Sequence, residues 1–161
     1  MKFALTLAAL LAAPLFASAQ DKFIPDFAKH WAVAKTLTLA VANAMPAADY
    51  GFKPNPEEMS FGEQMVHIGA ANFSYCSRLK GEKSPYVKPE TADHDSAVKV
   101  LNAAFDYCSA AVGGLADLDT AKGPMDPREI MMGVYAHMAH HRGQAEVYLR
   151  VKGIKPPDYK F

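Results

Sequence analysis

Apolar residues recur at spacings of three and four through four separate segments of this chain, and proline or glycine closes each segment. Such spacing turns one face of a helix inward. No alternating apolar and polar pattern runs long enough to argue for a sheet, and neither an internal repeat nor a low-complexity tract interrupts the series. With 161 residues, half of them hydrophobic, the chain has material for one domain around one core. The expected fold class is therefore all-α, a four-helix bundle with a long first connection.

The first helix is predicted from Pro25, where a missing N–H costs nothing, to about Ala44. Its inward face carries Phe27, Trp31, Ala34, Thr38, Val41 and Met45. Residues 46–59 hold three prolines and a glycine and are not regular helix, while Tyr50 and Phe52 are apolar enough to pack across the bundle. The second helix opens at Ser60, with Glu63 completing a capping box, and ends near Gly81. Phe61, Ile68, Tyr75 and Leu79 form its apolar stripe, and Ala70, Ala71 and Ser74 form a small-residue face beside His67 that leaves room for something else. The third helix runs roughly from Asp95 to Ala111 and stops at Gly113-Gly114, with Leu101, Ala104, Phe105, Cys108, Ala111 and Val112 facing one way. The fourth has Asp126 as N-cap, Pro127 at the first helical position and Glu129 at N3, and runs to Gly153 before a proline-broken tail. The long first connection is expected to let neighbouring helices run parallel.

The first residues are Met1-Lys2, an apolar run from Phe3 to Phe16, and Ala17-Ser18-Ala19 before Gln20. A positive start, an apolar run too short to span a bilayer and a small-x-small site describe a secretory signal peptide. Residues 1–19 are read as that signal and 20–161 as the domain, which makes the protein exported, periplasmic or secreted. An uncleaved anchor or a buried first helix is the alternative, but Pro14 and the polar Gln20-Asp21-Lys22 fit cleavage better. Without Lys2 the formal net charge falls from zero to −1, so no electrostatic footprint for nucleic acid survives. No long apolar stretch follows the signal to form a transmembrane helix. Cys76 and Cys108 are an even pair in an exported chain, which suggests a disulfide rather than two separate buried thiols.

At about 100° per residue the fourth helix places Ile130, Val134, His137, His141, Gln144 and Tyr148 on one face, with Tyr135, Arg142, Glu146 and Arg150 on the other. Two imidazoles one turn apart on an inward face can address a common divalent metal ion. The competing reading makes each a core histidine satisfied by a hydrogen bond. Two desolvated imidazoles without partners would cost roughly 1–3 kcal/mol each, and a single ion satisfies both. His30, His67, His94 and His140 are the candidates for a third ligand. His94 lies in a polar link, His140 projects to the side of the ligand face in a supporting or boundary position, and His30 neighbours Trp31. His67 is best placed by its small-residue surroundings. Glu63 is assigned to the helix cap rather than to the metal or to base chemistry, and Gln144 and Tyr148 continue the metal face towards a substrate or bound water. Three histidines with an open position would keep a water on the metal and lower its pKa to about 7. There is no Gly-rich phosphate loop, Ser nucleophile elbow or paired-carboxylate arrangement with context, so covalent nucleophilic catalysis has no support in the sequence.

These residues resemble the DinB-like family of metal-binding helical bundles, which includes YfiT-type metalloenzymes. Tyr50-Gly-Phe-Lys-Pro54 followed by Ser60-Phe-Gly-Glu-Gln-Met-Val-His67-Ile68 is similar to the family's entry to helix two. His137-Met-Ala-His140-His141-Arg142-Gly143-Gln144 is similar to its signature in helix four, and Gly153-Ile-Lys-Pro-Pro157 to members that end just after that helix. The resemblance implies a His67, His137, His141 triad holding zinc or nickel, in a bundle with parallel as well as antiparallel neighbours. Relatives include transferases and isomerases that use low-molecular-weight thiols, from which the signal peptide and the cysteine pair set this chain apart.

The function expected is a metal-dependent enzyme, a hydrolase or thiol transferase, activating a water or thiol towards a small substrate. The alternative is a non-catalytic metal- or small-ligand-binding protein of the cell envelope, and a third reading has the ion only tie helices together. The expected partner is a small molecule, with pairing of two copies into a homodimer left open.

Overall fold

A computed structural model describes residues 22–120 and 124–159; the expected signal peptide at 1–19 lies outside them. Among the described residues there are four α-helices and no strands: α1 (Phe23–Ala44), α2 (Phe61–Lys80), α3 (His94–Gly113) and α4 (Pro127–Val151). Single 3-10 turns occur at Ala47–Asp49 and Leu118–Thr120. No helix is long and apolar enough to cross a membrane among these residues.

Local chemistry sets the helix ends. α1 starts two residues before Pro25, which is compatible because none of the first four helical residues has an intrahelical acceptor for its N–H. Ser60 and Glu63 form the reciprocal capping box of α2, and Gly81 closes that helix at φ 65°, a left-handed conformation that suits glycine. Asp93 caps α3 by accepting from the Ser96 N–H, and Asp126 caps α4 by accepting from the Arg128 N–H.

The helix directions follow from which residues meet. Along α2 and α3, Gly69 lies against Val100 and Cys76 against Cys108, so the two helices run parallel. Along α2 and α4, Gln64 reaches Tyr148 while Tyr75 reaches Gly133, so these run antiparallel. Phe27 meets Tyr135 at the start of α1, and Asp49 beyond its end meets Lys152 beyond the end of α4, a parallel pair. Trp31 with Phe105 and Asn43 with His94 make α1 and α3 antiparallel. The bundle is up-down-down-up, with α1 and α2 across the diagonal.

Parallel packing therefore arises, but not from the first connection. Residues 45–60 cross the diagonal at one end of the bundle, joining two antiparallel helices, and fold back on them: the Tyr50 hydroxyl donates to Ala42 O at 2.7 Å, and Gly62 N–H donates to Tyr50 O at 2.8 Å. The segment that returns the chain to the start of the bundle is 81–93. α2 has 20 residues and is about 30 Å long, and the eleven residues 82–92, which form neither helix nor strand, can reach about 36 Å at about 3.3 Å each, enough to cover that length.

Every residue assigned to the inward faces of α1 and α3 is buried. Trp31 stacks between Phe27 and Phe105, with ring centroids 5.6 and 4.8 Å away, and its Nε1–H donates to Phe105 O at 3.3 Å. Cys76 and Cys108 stand at disulfide distance, their Cα atoms 5.2 Å apart. Tyr75, expected in the apolar stripe of α2, is only half-buried and covers Gly133 instead.

Candidate metal centre

The buried face of α4 consists of Ile130, Met131, Val134, Met138, Arg142, Ala145, Tyr148 and Leu149. At about 100° per residue its centre is turned roughly 60° from the face predicted from sequence. Arg142, expected on the opposite face, is one of the buried residues; its Nε lies 3.6 Å from Glu146 Oε1 and its guanidinium sits over the exposed Tyr159 ring. Treating histidine as part of the apolar stripe pulled the predicted face towards His137 and His141. Those two lie on the flank of the buried face, half-buried, at the seam with α2.

His67 meets them from α2. His137 and His141 stand one turn apart on α4, and the His67 ring of α2 meets both. One ring nitrogen from each of His67, His137 and His141 can be chosen so that all three lie within 4.8 Å of one another. His67 Nε2 and His137 Nε2 are 3.2 Å apart, and the His141 ring centroid is 4.4 Å from that of His67 and 4.5 Å from that of His137. Two ligands at about 2.0–2.1 Å from a tetrahedral ion would stand about 3.3–3.4 Å apart, so the first pair has the spacing of one edge of such a site. Neutral imidazole is the ligating form, and the site favours it. Burial, and then the neighbouring imidazoles of His137, His67 and His140, push the His141 pKa down to about 4. Burial likewise lowers that of His137, assisted by His67 and His140.

The surroundings of the triad are polar in a specific way. His141 Nδ1 is 2.8 Å from Oε1 of Gln64, a fully buried residue of α2. Gln64 Nε2 donates to the Tyr148 hydroxyl at 3.4 Å, and that hydroxyl donates to Met59 O at 2.9 Å. Tyr148, expected to face a substrate or bound water, is instead buried and reaches the triad only through Gln64. Gln144 lies beside His141, with its Oε1 buried and unpartnered, as is His137 Nδ1. His140 is exposed, its ring edge-on to His141 at 4.9 Å. Gln64 escaped the sequence reading. Its signal was available: it lies three residues before His67, so a polar residue shares the seam with that imidazole.

The other histidines stay apart. His94 opens α3, with Nδ1 2.8 Å from Asp95 Oδ1 and Nε2 3.1 Å from Asn43 Oδ1. His30 sits on α1 in an apolar groove with Phe27, Met132 and Tyr135.

A cleft of about 410 Å³ opens between α2 and the returning segment, lined by Glu63, Val66, Ala70, Tyr86 and Lys88 among others and, of the triad, by His67 but not by His137 or His141. Ala70, from the predicted small-residue face, contributes to that space. Glu63 performs its capping role: Ser60 N–H donates to its Oε2 at 2.6 Å, which holds the carboxyl below the usual range.

An up-down-down-up bundle with three imidazoles gathered between antiparallel helices defines a class of all-α protein with an interhelical histidine centre. The chain belongs to the DinB family, whose model matches residues 17–161. Among solved structures it is similar to a DinB-like protein, YjoA, from Bacillus subtilis. The two superpose with a TM-score of 0.68 at 22% identity, over 83% of this chain and 96% of that one, a likeness of fold. No curated protein matches the chain.

Proposed function

We propose that the protein is exported and holds one divalent ion, zinc or nickel, between His67, His137 and His141, where it activates a water or a thiol towards a small substrate in the adjoining cleft. The observation that carries this reading is the convergence of three imidazole donor atoms within 4.8 Å, contributed by two helices and seventy residues of sequence apart. When bound, the ion supplies Lewis acidity that lowers the pKa of a water or thiol in its open position. The chain's own residues do the rest: the 2.8 Å bond from Gln64 orients His141, and the cleft lined by His67 admits a small molecule. Reduced thiol cofactors are scarce outside the cytoplasm, which favours water as the activated group.

Elemental analysis of the purified protein tests the ligand set. One equivalent of zinc or nickel is expected in the wild type and substantial loss in His67→Ala, His137→Ala and His141→Ala; stoichiometric metal in all three variants would refute the triad. Turnover of small esters, amides or thiol and electrophile pairs by the loaded protein, abolished by chelation, separates catalysis from simple ligand binding.

A further inference from the structure

Gln64, Tyr148 and the backbone carbonyl of Met59 form a chain of hydrogen bonds whose direction admits one solution. Met59 O can only accept, so the Tyr148 hydroxyl must donate to it. Having spent its only hydrogen, the Tyr148 oxygen is an acceptor towards Gln64, and the amide end that meets it must be the NH₂. The Gln64 carbonyl oxygen then faces His141 Nδ1, which must carry a proton to make the 2.8 Å bond. The lone pair of His141 is left on Nε2. Gln64 and Tyr148 are both buried, which limits competition from water for the bond between them.

From this polarity we infer that Gln64 is a positioning residue that locks His141 in its Nδ1–H tautomer, with Tyr148 and Met59 O setting the orientation of the Gln64 amide. The role rests on the metal reading proposed above only in its consequence, namely that Nε2 of His141 is held ready as a ligand. Outer partners of this kind typically change metal affinity by about 10–100-fold when removed. The same chain ties the last residue before the α2 cap to the metal centre, so the first connection and the ligand geometry are mechanically linked.

The test has two independent readouts. Long-range ¹H–¹⁵N correlation spectra of the zinc-free protein report the tautomer of His141: Nδ1–H is expected in the wild type, and Tyr148→Phe, which keeps the ring packing, should let the Nε2–H form appear. Zinc affinity, measured by competition with a chromophoric chelator, should fall about 10–100-fold in Gln64→Leu and be retained in Gln64→Glu, which keeps an acceptor for Nδ1–H. An Nε2–H tautomer in the wild type, or Gln64→Leu with wild-type zinc affinity, would overturn the assignment. A wild type that binds no zinc would sink the metal reading alone, and the tautomer spectrum would still decide the lock. Should Gln64→Leu fail to fold, the wild-type spectrum and the Gln64→Glu titration remain decisive.

Discussion

Gly62 offers a direct test of how tightly the returning segment is pressed onto α2. A Cβ built there would lie 1.8 Å from Ala92 O, 3.0 Å from Ala92 C and 3.1 Å from Tyr50 Cδ1. The first neighbour is backbone, and the Gly62 N–H is itself bonded to Tyr50 O, so neither side can yield by rotating a side chain. To reach even the 3.0 Å floor of real Cβ contacts, the segment at Ala92 must retreat by about 1.2 Å in a close-packed region. Overpacking of this size costs roughly 1–3 kcal/mol. Gly→Ala in a helix interior returns up to about 1 kcal/mol, and less at Gly62 because it lies in the first turn. Gly62→Ala should therefore lose roughly 1–2 kcal/mol, a fall in Tm of about 2–8 °C for a domain of this size. Gly143, in the interior of α4 and exposed, has nothing within 4 Å of its would-be Cβ. Gly143→Ala should gain up to about 1 kcal/mol. Both variants are read by circular dichroism during thermal and urea unfolding of the oxidised protein. A Gly62→Ala variant that melts at or above the wild type would refute the close approach of the two segments.

Reduction of the Cys76–Cys108 pair, or the double variant Cys76→Ala and Cys108→Ala, should lower stability by about 2–4 kcal/mol, since the bond closes a loop with a separation of 32 residues. Alkylation without reductant followed by mass spectrometry checks that the bond exists; two alkylated cysteines in native protein would exclude it. Glu63 yields a pH prediction: its carboxyl pKa is lowered by the Ser60 N–H, so its contribution is complete above the unfolded value of about 4.3 and is lost as pH falls through the lower folded value. The stability gap between wild type and Glu63→Ala, measured by urea unfolding, should thus be modest at pH 7 because the carboxyl is half exposed, and should shrink in acid. A gap that widens in acid would contradict the capping role.

Much of this architecture was legible because helix formation and capping are local. The faces of α1 and α3 could be read directly, since Phe27 to Met45 and Leu101 to Val112 are mostly apolar residues whose spacing matches their burial. α4 was misjudged where chemistry and packing compete for adjacent positions: His137 and His141 look like core by spacing, yet Arg142 takes a buried place through its aliphatic stem. Helix direction was not legible in the same way. The parallel pairing of α2 and α3 depends on segment 81–93 spanning the bundle, and polar residues such as Lys83, Lys88 and Glu90 carry no periodicity that distinguishes a spanning path from a loop at one end. His67 could be placed among small residues but not opposite His137, because that pairing is set by tertiary packing. Gln64 was hidden for a related reason, as a glutamine in the first turns of a helix is usually a solvated residue.

The side-by-side cysteines act as a gauge of alignment. If α2 slipped by one helical turn along α3, a shift of about 5.4 Å, Cα atoms now 5.2 Å apart would separate to about 7.5 Å, beyond the reach of a sulfur bridge. An oxidant can therefore close the bridge only on chains whose two parallel helices are already in step. Because His67 stands nine residues before Cys76 on the same helix, each closed bridge also fixes the height of that imidazole along α3. Oxidation thus sorts aligned helix pairs from slipped ones.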